Sequence, residues 1–107
     1  MKKKQKSARA ERRARERARD KLADAREKLW RLEPGGSASR PLDIASASVI
    51  EPRTRAEACL RCGAAVRSAD HRAETIDERR LRVVTTTCAV CGAARTWYFR
   101  LVSELMS

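Results

Sequence analysis

The sequence predicts a small metal-bound α+β fold, in which a long charged N-terminal helix precedes a three-stranded antiparallel sheet. Three observations lead to this fold class in a chain of 107 residues. The four cysteines form two Cys-x2-Cys-Gly motifs, at residues 59–63 and 88–92. Residues 7–33 consist largely of strong helix formers and contain neither Gly nor Pro, which favours one continuous helix. After the first motif, segments rich in β-branched and aromatic residues are typical of strands.

Each cysteine motif has the spacing of a metal-binding turn. Two thiolates separated by two residues can reach one ion. Gly63 and Gly92 can adopt the left-handed backbone conformation that such a turn needs. Two motifs together supply a tetrahedral set of sulfur ligands, which suits zinc. We therefore predict one Zn²⁺ ion with four ligands: Cys59, Cys62, Cys88 and Cys91.

Other roles for these cysteines fit the sequence less well. Disulfide bonds would require an exported protein, and the N-terminus lacks the apolar segment of a signal peptide. A thioredoxin-like redox motif uses a single pair within a βαβ unit, whereas this chain has two equivalent pairs. Iron remains an alternative to zinc, because four thiolates also suit iron. Reduced cysteines, and the absence of an apolar run of about 18 residues, favour a soluble cytoplasmic protein.

The net charge of +11 is concentrated at the N-terminus. Residues 1–19 contain ten Lys and Arg but only two Glu, whereas residues 34–107 carry a net charge of +3. The Pro-Gly-Gly-Ser-Ala-Ser sequence at 34–39 indicates a linker. We therefore divide the chain into a basic tail and charged helix at 1–33, a flexible linker at 34–41, and a metal-bound domain with a preceding extended segment at 42–107. The preference for Arg and Ala over Lys is typical of a GC-rich bacterial genome.

The predicted helix carries an apolar stripe that becomes bulkier toward its C-terminal end. Steps of three and four residues trace the stripe through Ala14, Ala18, Leu22, Ala25, Leu29 and Leu32. The leading interpretation is a solvated charged helix whose base packs against its own domain. The alternative is an interaction surface for another protein or a second copy of the helix. Such a partner would dock through the helix end: Leu22, Leu29, Trp30 and Leu32.

The remainder of the chain predicts an extended segment and three strands. Pro41 and Pro52 bracket the extended segment and favour an edge position for it. The last strand places Trp97, Phe99 and Leu101 on one face. In order, the elements are the extended segment at 42–50, a strand at 64–76 interrupted near 68–72, a turn at 77–80, and strands at 81–87 and 95–102.

Two Cys-x2-Cys-Gly motifs separated by a predicted hairpin resemble the zinc-ribbon superfamily. The resemblance covers residues 57–102 and depends on the four cysteines together with Gly63 and Gly92. It implies a three-stranded antiparallel zinc ribbon around one structural ion. It identifies neither a subfamily nor a function, since zinc ribbons occur in transcription factors, ribosomal proteins, RNA-modification factors and subunit-docking modules.

A site closed by four sulfur ligands has no open position for water, so we expect a non-catalytic protein rather than an enzyme. The leading hypothesis is a structural zinc ribbon with a basic arm that binds nucleic acid or a nucleoprotein complex. A membrane and a small-molecule substrate are not expected as partners. Candidate phosphate-binding residues are Arg9, Arg12, Arg13, Arg15, Arg17 and Arg19, preceded by Lys2, Lys3, Lys4 and Lys6.

Two further surfaces on the predicted ribbon could carry function. The acidic turn Asp77-Glu78 is similar to the adjacent Asp-Glu pair of transcript-cleavage elongation factors, which bind RNA polymerase and help to hold a catalytic magnesium. Its flanking sequence differs from that family, which makes polar residues in an ordinary turn the preferred interpretation. A stacking surface for unpaired bases is the second candidate, although core packing of its tryptophan is preferred: Arg95, Trp97, Tyr98 and Arg100.

Overall fold

The computed structural model describes residues 7–102, apart from the side chains of residues 68 and 69. It confirms a small α+β fold in which one long helix precedes a sheet. The elements in chain order are helix α1 (Ala8–Leu32), strand β1 (Leu42–Ile44), a 3₁₀ turn (Ala47–Val49), helix α2 (Ile50–Arg55), and strands β2 (Val66–Ile76), β3 (Arg79–Cys88) and β4 (Ala94–Leu101).

Helix α1 begins at a capping serine and ends before a pair of glycines. The Ser7 hydroxyl oxygen accepts a hydrogen bond from the backbone N–H of Ala10 at 3.1 Å, which satisfies one of the free donors of the first turn. After the helix the chain reverses at Gly35, whose φ of 92° lies in the left-handed region. Gly36 lies so close to the helix that an added Cβ would come within 1.8 Å of the Trp30 carbonyl oxygen. The reversal therefore requires residues without side chains.

The segment at 34–41, which the sequence predicts as a linker, forms hydrogen bonds with both helix α1 and strand β4. The Gly35 carbonyl accepts a hydrogen bond from the Tyr98 N–H at 2.9 Å, which connects the reversal to β4. The Gly35 N–H donates to the Arg40 carbonyl at 2.6 Å, and the Arg40 guanidinium donates to the Leu32 carbonyl. These bonds join the end of α1 to the sheet. The division of the chain into 1–33, 34–41 and 42–107 stays a prediction.

The sheet differs from the predicted three-stranded antiparallel ribbon, and that part of the prediction was wrong. Four strands lie in the order β1-β4-β3-β2. The pairs β2–β3 and β3–β4 are antiparallel, but β1 pairs in parallel with β4, with Leu42 opposite Phe99 and Ile44 opposite Leu101. The Arg100 guanidinium donates to both carboxylate oxygens of Asp43, at 2.7 and 3.1 Å, and reinforces this pairing.

The predicted extended segment at 42–50 is also only partly correct. Its first three residues form edge strand β1, but the chain then enters a 3₁₀ turn and helix α2. The Ser46 hydroxyl oxygen accepts a hydrogen bond from the Ser48 N–H at 3.3 Å, so a local side-chain contact competes with continued extension. Ile50 is fully buried at the start of α2. The alternation of residues that suggested a strand at 42–50 therefore belongs in part to a turn, which places Ile50 in the core.

Strands β2 and β3 form a hairpin with a two-residue turn. Asp77 and Glu78 have φ values of 49° and 65°, as the favoured two-residue hairpin turns require. A register shift between Arg67 and Asp70 interrupts β2. It lies at the start of the interruption predicted near residues 68–72. On the exposed side of β2, Arg72 donates hydrogen bonds to two flanking acids: Asp70 at 2.9 Å and Glu74 at 2.7 Å.

The main buried cluster lies on one face of the sheet and is built around tryptophan. Trp97 and Phe99 are stacked with ring centroids 5.9 Å apart, and Trp30 of α1 meets Trp97 edge-on at 4.5 Å. The Trp30 indole N–H also donates to the Thr96 carbonyl at 3.4 Å. The rest of the buried cluster comprises Ile50, Val84 and Leu101, with Leu42, Ile44 and Leu60 packed at its margin.

The base of α1 packs against the sheet, but not through the apolar stripe. Trp30 and Ala23 are buried, whereas the bulky residues of the stripe are more than half exposed: Leu22 at 53%, Leu29 at 61% and Leu32 at 65%. At 3.6 residues per turn, the stripe lies on the side of the helix opposite Ala23 and Trp30. Trp30 is thus separated from the three leucines with which the sequence grouped it.

Replacing the inward and outward residues of α1 should have unequal effects on stability. We expect Trp30→Ala to lower the free energy of unfolding by about 3 kcal/mol, because it removes a buried aromatic side chain from the core. The matched variant Leu29→Ala should change it by less than about 0.5 kcal/mol, since its side chain is already in solvent. Denaturant unfolding of the metal-loaded protein measures both values. Equal effects would contradict this orientation of the helix.

Candidate metal centre

The two cysteine motifs form two turns with the same hydrogen bonds. In the first, the Gly63 N–H donates to the Cys59 carbonyl and the Cys59 N–H to the Ala64 carbonyl, each at 2.9 Å. In the second, the Gly92 N–H donates to the Cys88 carbonyl at 3.2 Å and the Cys88 N–H to the Ala93 carbonyl at 2.9 Å. Both glycines have a φ of 76°, which is strained for any residue with a side chain.

The β2–β3 hairpin brings the two turns together. Val66, just after the first turn, pairs with Cys88 at the start of the second. The Ala89 N–H also donates directly to the Ala65 carbonyl at 3.3 Å. In the sequence 25 residues lie between Cys62 and Cys88. The hairpin brings the two motifs next to each other in the fold. Sheet register therefore determines how the two pairs of cysteines meet.

All four sulfur atoms converge on one point. Their Sγ atoms lie within 4.8 Å of one another, with Cys59 and Cys91 3.6 Å apart and Cys62 and Cys88 3.4 Å apart. A disulfide bond would need about 2.05 Å, so these thiols are free. Zinc–sulfur bonds of about 2.3 Å in a tetrahedron place ligand sulfurs about 3.8 Å apart. The arrangement fits a single metal ion with four sulfur ligands.

Backbone N–H groups surround the sulfur atoms. Cys88 Sγ accepts hydrogen bonds from the N–H groups of Val90 at 3.3 Å and Cys91 at 3.4 Å, and these lower the pKa of Cys88 to about 6. Cys59 Sγ accepts one from the Arg61 N–H at 3.4 Å. At Cys88 the donors favour thiolate over thiol, and thiolate is the form that binds metal.

The neighbouring thiols oppose the ionisation of Cys62, although a backbone donor favours it. Cys62 shows the conflict: a backbone hydrogen bond with Ala64 lowers its pKa, but the interaction with Cys88, burial and the other two thiols together raise it to about 12. Like charges this close oppose one another's ionisation. A divalent metal supplies the missing positive charge, so the chemistry of the donor set agrees with its geometry.

Arg61 connects the first cysteine turn to helix α1. It lies between Cys59 and Cys62, and its guanidinium reaches three carboxylates on successive turns of the helix. Asp24 and Glu27 lie at 3.0 and 3.2 Å and Asp20 at 3.8 Å, and the hydrogen bonds that Arg61 donates to Asp24 and Glu27 raise the pKa of Arg61. The sequence showed no signal for this contact beyond acids spaced by three and four residues.

A cleft of about 440 Å³ lies beside this turn, between the end of α1 and β4. The Arg95 guanidinium carbon lies 4.0 Å from the ring centroid of Trp30 and 4.2 Å from that of Trp97. Burial lowers the pKa of Arg95. Because Trp97 is almost fully buried, the interpretation of this residue as core is confirmed. Arg95 therefore lies over the rings of Trp30 and Trp97, where the sequence suggested a stacking surface for unpaired bases.

The other predicted residues lie away from the sulfur cluster. The six arginines at positions 9 to 19 are exposed on the first half of α1, and the four lysines before them lie outside the described residues. Asp77 and Glu78 are exposed at the tip of the hairpin. His71 is half-buried on β2 and does not belong to the group of potential metal ligands. No helix within residues 7–102 is long and apolar enough to cross a membrane.

Comparison with known proteins identifies no relative. The chain matches no family model, no curated protein and no solved structure. The geometry of the site therefore carries the functional argument.

Removing the metal or one ligand should abolish the folded state of the sheet domain. We expect one metal ion per chain in protein purified under reducing conditions, and loss of cooperative thermal unfolding after strong chelation. Cys88→Ser should behave like the chelated protein, whereas His71→Gln should keep its metal. Metal analysis and circular dichroism give both results. A Cys88→Ser protein with full metal content and an unchanged melting temperature would contradict the site.

The ion pairs of Arg61 predict a separate effect on the helix. Arg61→Gln should keep the metal, because no ligand is removed, but should accelerate amide hydrogen exchange in residues 20–27 of α1. Arg72→Gln is the matched control, since it removes ion pairs confined to β2. Exchange measured residue by residue by NMR compares them. Equal exchange in the two variants would show that Arg61 does not hold the helix.

Proposed function

We propose that this protein is a structural zinc-ribbon module that holds a basic helical arm for binding to nucleic acid or a nucleoprotein complex. Zinc is the proposed metal because it favours tetrahedral sulfur sites, has no redox chemistry of its own and often serves only to stabilise small domains. The hairpin between the two cysteine turns supports the relation to zinc ribbons. Parallel strand β1 and helix α1 are then additions to that arrangement.

The proposed role of the metal is stabilisation rather than catalysis. Cys59, Cys62, Cys88 and Cys91 would fill the coordination sphere of the ion and leave no position for a water molecule or a substrate. The buried aromatic cluster is small, so the energy of metal binding would supply much of the stability of the domain. In this proposal the protein is not an enzyme.

The observation that carries the nucleic-acid proposal is the arrangement of charge on α1. Between residues 8 and 19 the helix has six arginines and two glutamates, and all eight side chains are exposed. The arginines fall into two rows, Arg9-Arg13-Arg17 and Arg12-Arg15-Arg19, with members three or four residues apart. Neighbours in a row are therefore about 4.5 to 6 Å apart along the axis. Such rows can contact phosphates on both sides of a groove that admits a helix.

The attachment of the arm supports the same function. Trp30 and the ion pairs of Arg61 fix the C-terminal half of α1 on the domain, while the arginine rows lie on the other half. A helix formed before binding loses less conformational entropy than a disordered basic tail would. Electrostatic attraction to phosphates would then give affinity without strong sequence preference.

Neutralising part of the arm should reduce the salt dependence of binding. For a 20-base-pair DNA duplex, the slope of log K against log salt should become shallower by roughly 0.9 for each phosphate that the protein no longer neutralises. We expect this effect in the triple variant Arg9→Gln, Arg12→Gln, Arg13→Gln, because each glutamine removes one charge. The corresponding lysine variant is the control and should retain the wild-type slope. Fluorescence anisotropy at several salt concentrations measures the slope.

The same series can overturn the proposal. An unchanged slope in the glutamine variant, with metal content and helicity preserved, would show that the arm does not contact phosphates. Binding of neither a DNA duplex nor an RNA hairpin by the wild-type protein would have the same meaning.

A further inference from the structure

The second half of α1 has an apolar face that the domain leaves in solvent. We name this outer face by its residues: Ala18, Leu22, Ala25, Leu29 and Leu32. All five side chains are exposed. Trp30 and Ala23 are the buried residues of the helix and lie on its opposite side. Three leucines in one row are more than the isolated exposed apolar residues that any surface carries.

The spacing of the outer face is that of a coiled-coil seam. From Ala18 to Leu32 its residues follow one another at intervals of four, three, four and three, the alternation of paired helices. The seam extends over 15 residues, or about 21 Å of helix axis. It is continuous with the helical arm but does not include the arginine row Arg9-Arg13-Arg17.

Basic residues flank the outer face on both sides. Arg19 and Arg26 lie along one edge and Lys21 and Lys28 along the other. These are the e and g positions of a heptad, whose charges determine which helices pair in coiled coils. Within the described part of the chain, these four residues form no ion pair with an acidic side chain. The balancing acids of this half of the helix point elsewhere, because Arg61 gathers Asp20, Asp24 and Glu27 on the domain side.

This charge distribution disfavours a second copy of the chain as the occupant. In an antiparallel pair, Arg19 and Arg26 would face the same arginines, and Lys21 and Lys28 the same lysines. A parallel pair would bring Lys21 near Arg26 and align two strongly basic arms. The partner that complements both the leucines and the basic edges carries the opposite charge.

We infer that the outer face docks a helix of another protein whose own apolar stripe is flanked by Asp and Glu. The leucines supply apolar contact area, and the acidic edges of the partner pair with the unpaired lysines and arginines. This surface is distinct from the cysteine cluster and from the arginine row Arg9-Arg13-Arg17, and it shares only Arg19 with the second row of the arm. It therefore gives the protein an interaction with an acidic helix in addition to any interaction with nucleic acid.

Two synthetic peptides test the inference on the full-length, metal-loaded protein. Both are three-heptad helices with leucine at the seam positions; one has glutamate at all flanking positions and the other has lysine. Fluorescence anisotropy should show binding of the glutamate peptide at least tenfold tighter than that of the lysine peptide. Replacing both Lys21 and Lys28 by glutamate should reduce this preference at least tenfold.

Matched variants separate the outer face from nonspecific attraction. The double variant Leu22→Ser, Leu29→Ser should weaken binding of the glutamate peptide at least tenfold, with unchanged metal content and thermal stability. Val49→Ser, which alters an exposed apolar residue elsewhere, should leave binding unchanged. The triple variant Arg9→Gln, Arg12→Gln, Arg13→Gln should retain most of the binding, because its substitutions lie outside the seam.

Several results would overturn the inference. It fails if the glutamate peptide does not bind, if both peptides bind equally, or if the leucine variant binds like the wild-type protein. Light scattering that shows a dimer dissolved by the leucine substitutions would identify a second copy as the occupant instead. Leucine-dependent binding to vesicles of phosphatidylglycerol and phosphatidylcholine, without peptide binding, would identify a lipid surface.

Discussion

The convergence of four sulfur atoms is the constraint on which the rest of the molecule depends. Each cysteine turn is local, but the two turns meet only because β2 and β3 pair in one register. A one-residue change of register would turn the side chain of Cys88 to the opposite face of the sheet. Val84 precedes Cys88 by four residues on β3 and lies on the same face of that strand, where it pairs with Trp97 of β4, so β3 links the cysteine cluster to the aromatic core.

Helix α1 is oriented by a competition between its two faces. The outer face has three leucines, whereas the inner face has one tryptophan, one alanine and three acids. The inner face is the one that packs because the domain offers it matching groups: Trp97 of β4 for the indole, and Arg61 of the first cysteine turn for the carboxylates. Shape and charge complementarity at specific positions thus decide the orientation, and total hydrophobicity does not.

This competition explains what the sequence could and could not predict. The clustering of the four cysteines, the bounds of helix α1 and the central hairpin follow from local spacing and composition, and the structure agrees with them closely. Strand β1 has three residues, and its parallel partner lies 57 positions further along the chain. No local sequence pattern therefore predicts this pairing. The helical periodicity located the apolar stripe of α1 correctly but did not indicate what the stripe packs against. Helix α2 was missed because Ser46 and Ile50 fit an alternating strand and a capped turn equally well.

The outer border of the sheet at β2 has a consequence for behaviour in concentrated solution. Unpaired strand edges invite other chains to add to the sheet, which begins aggregation. Here the irregular register between Arg67 and Asp70 interrupts the border, and the cluster of Asp70, Arg72 and Glu74 places charge along it. An incoming strand would have to bury that cluster and match a discontinuous row of backbone donors. The border thus protects the protein from the stacking to which small, sheet-rich domains are prone.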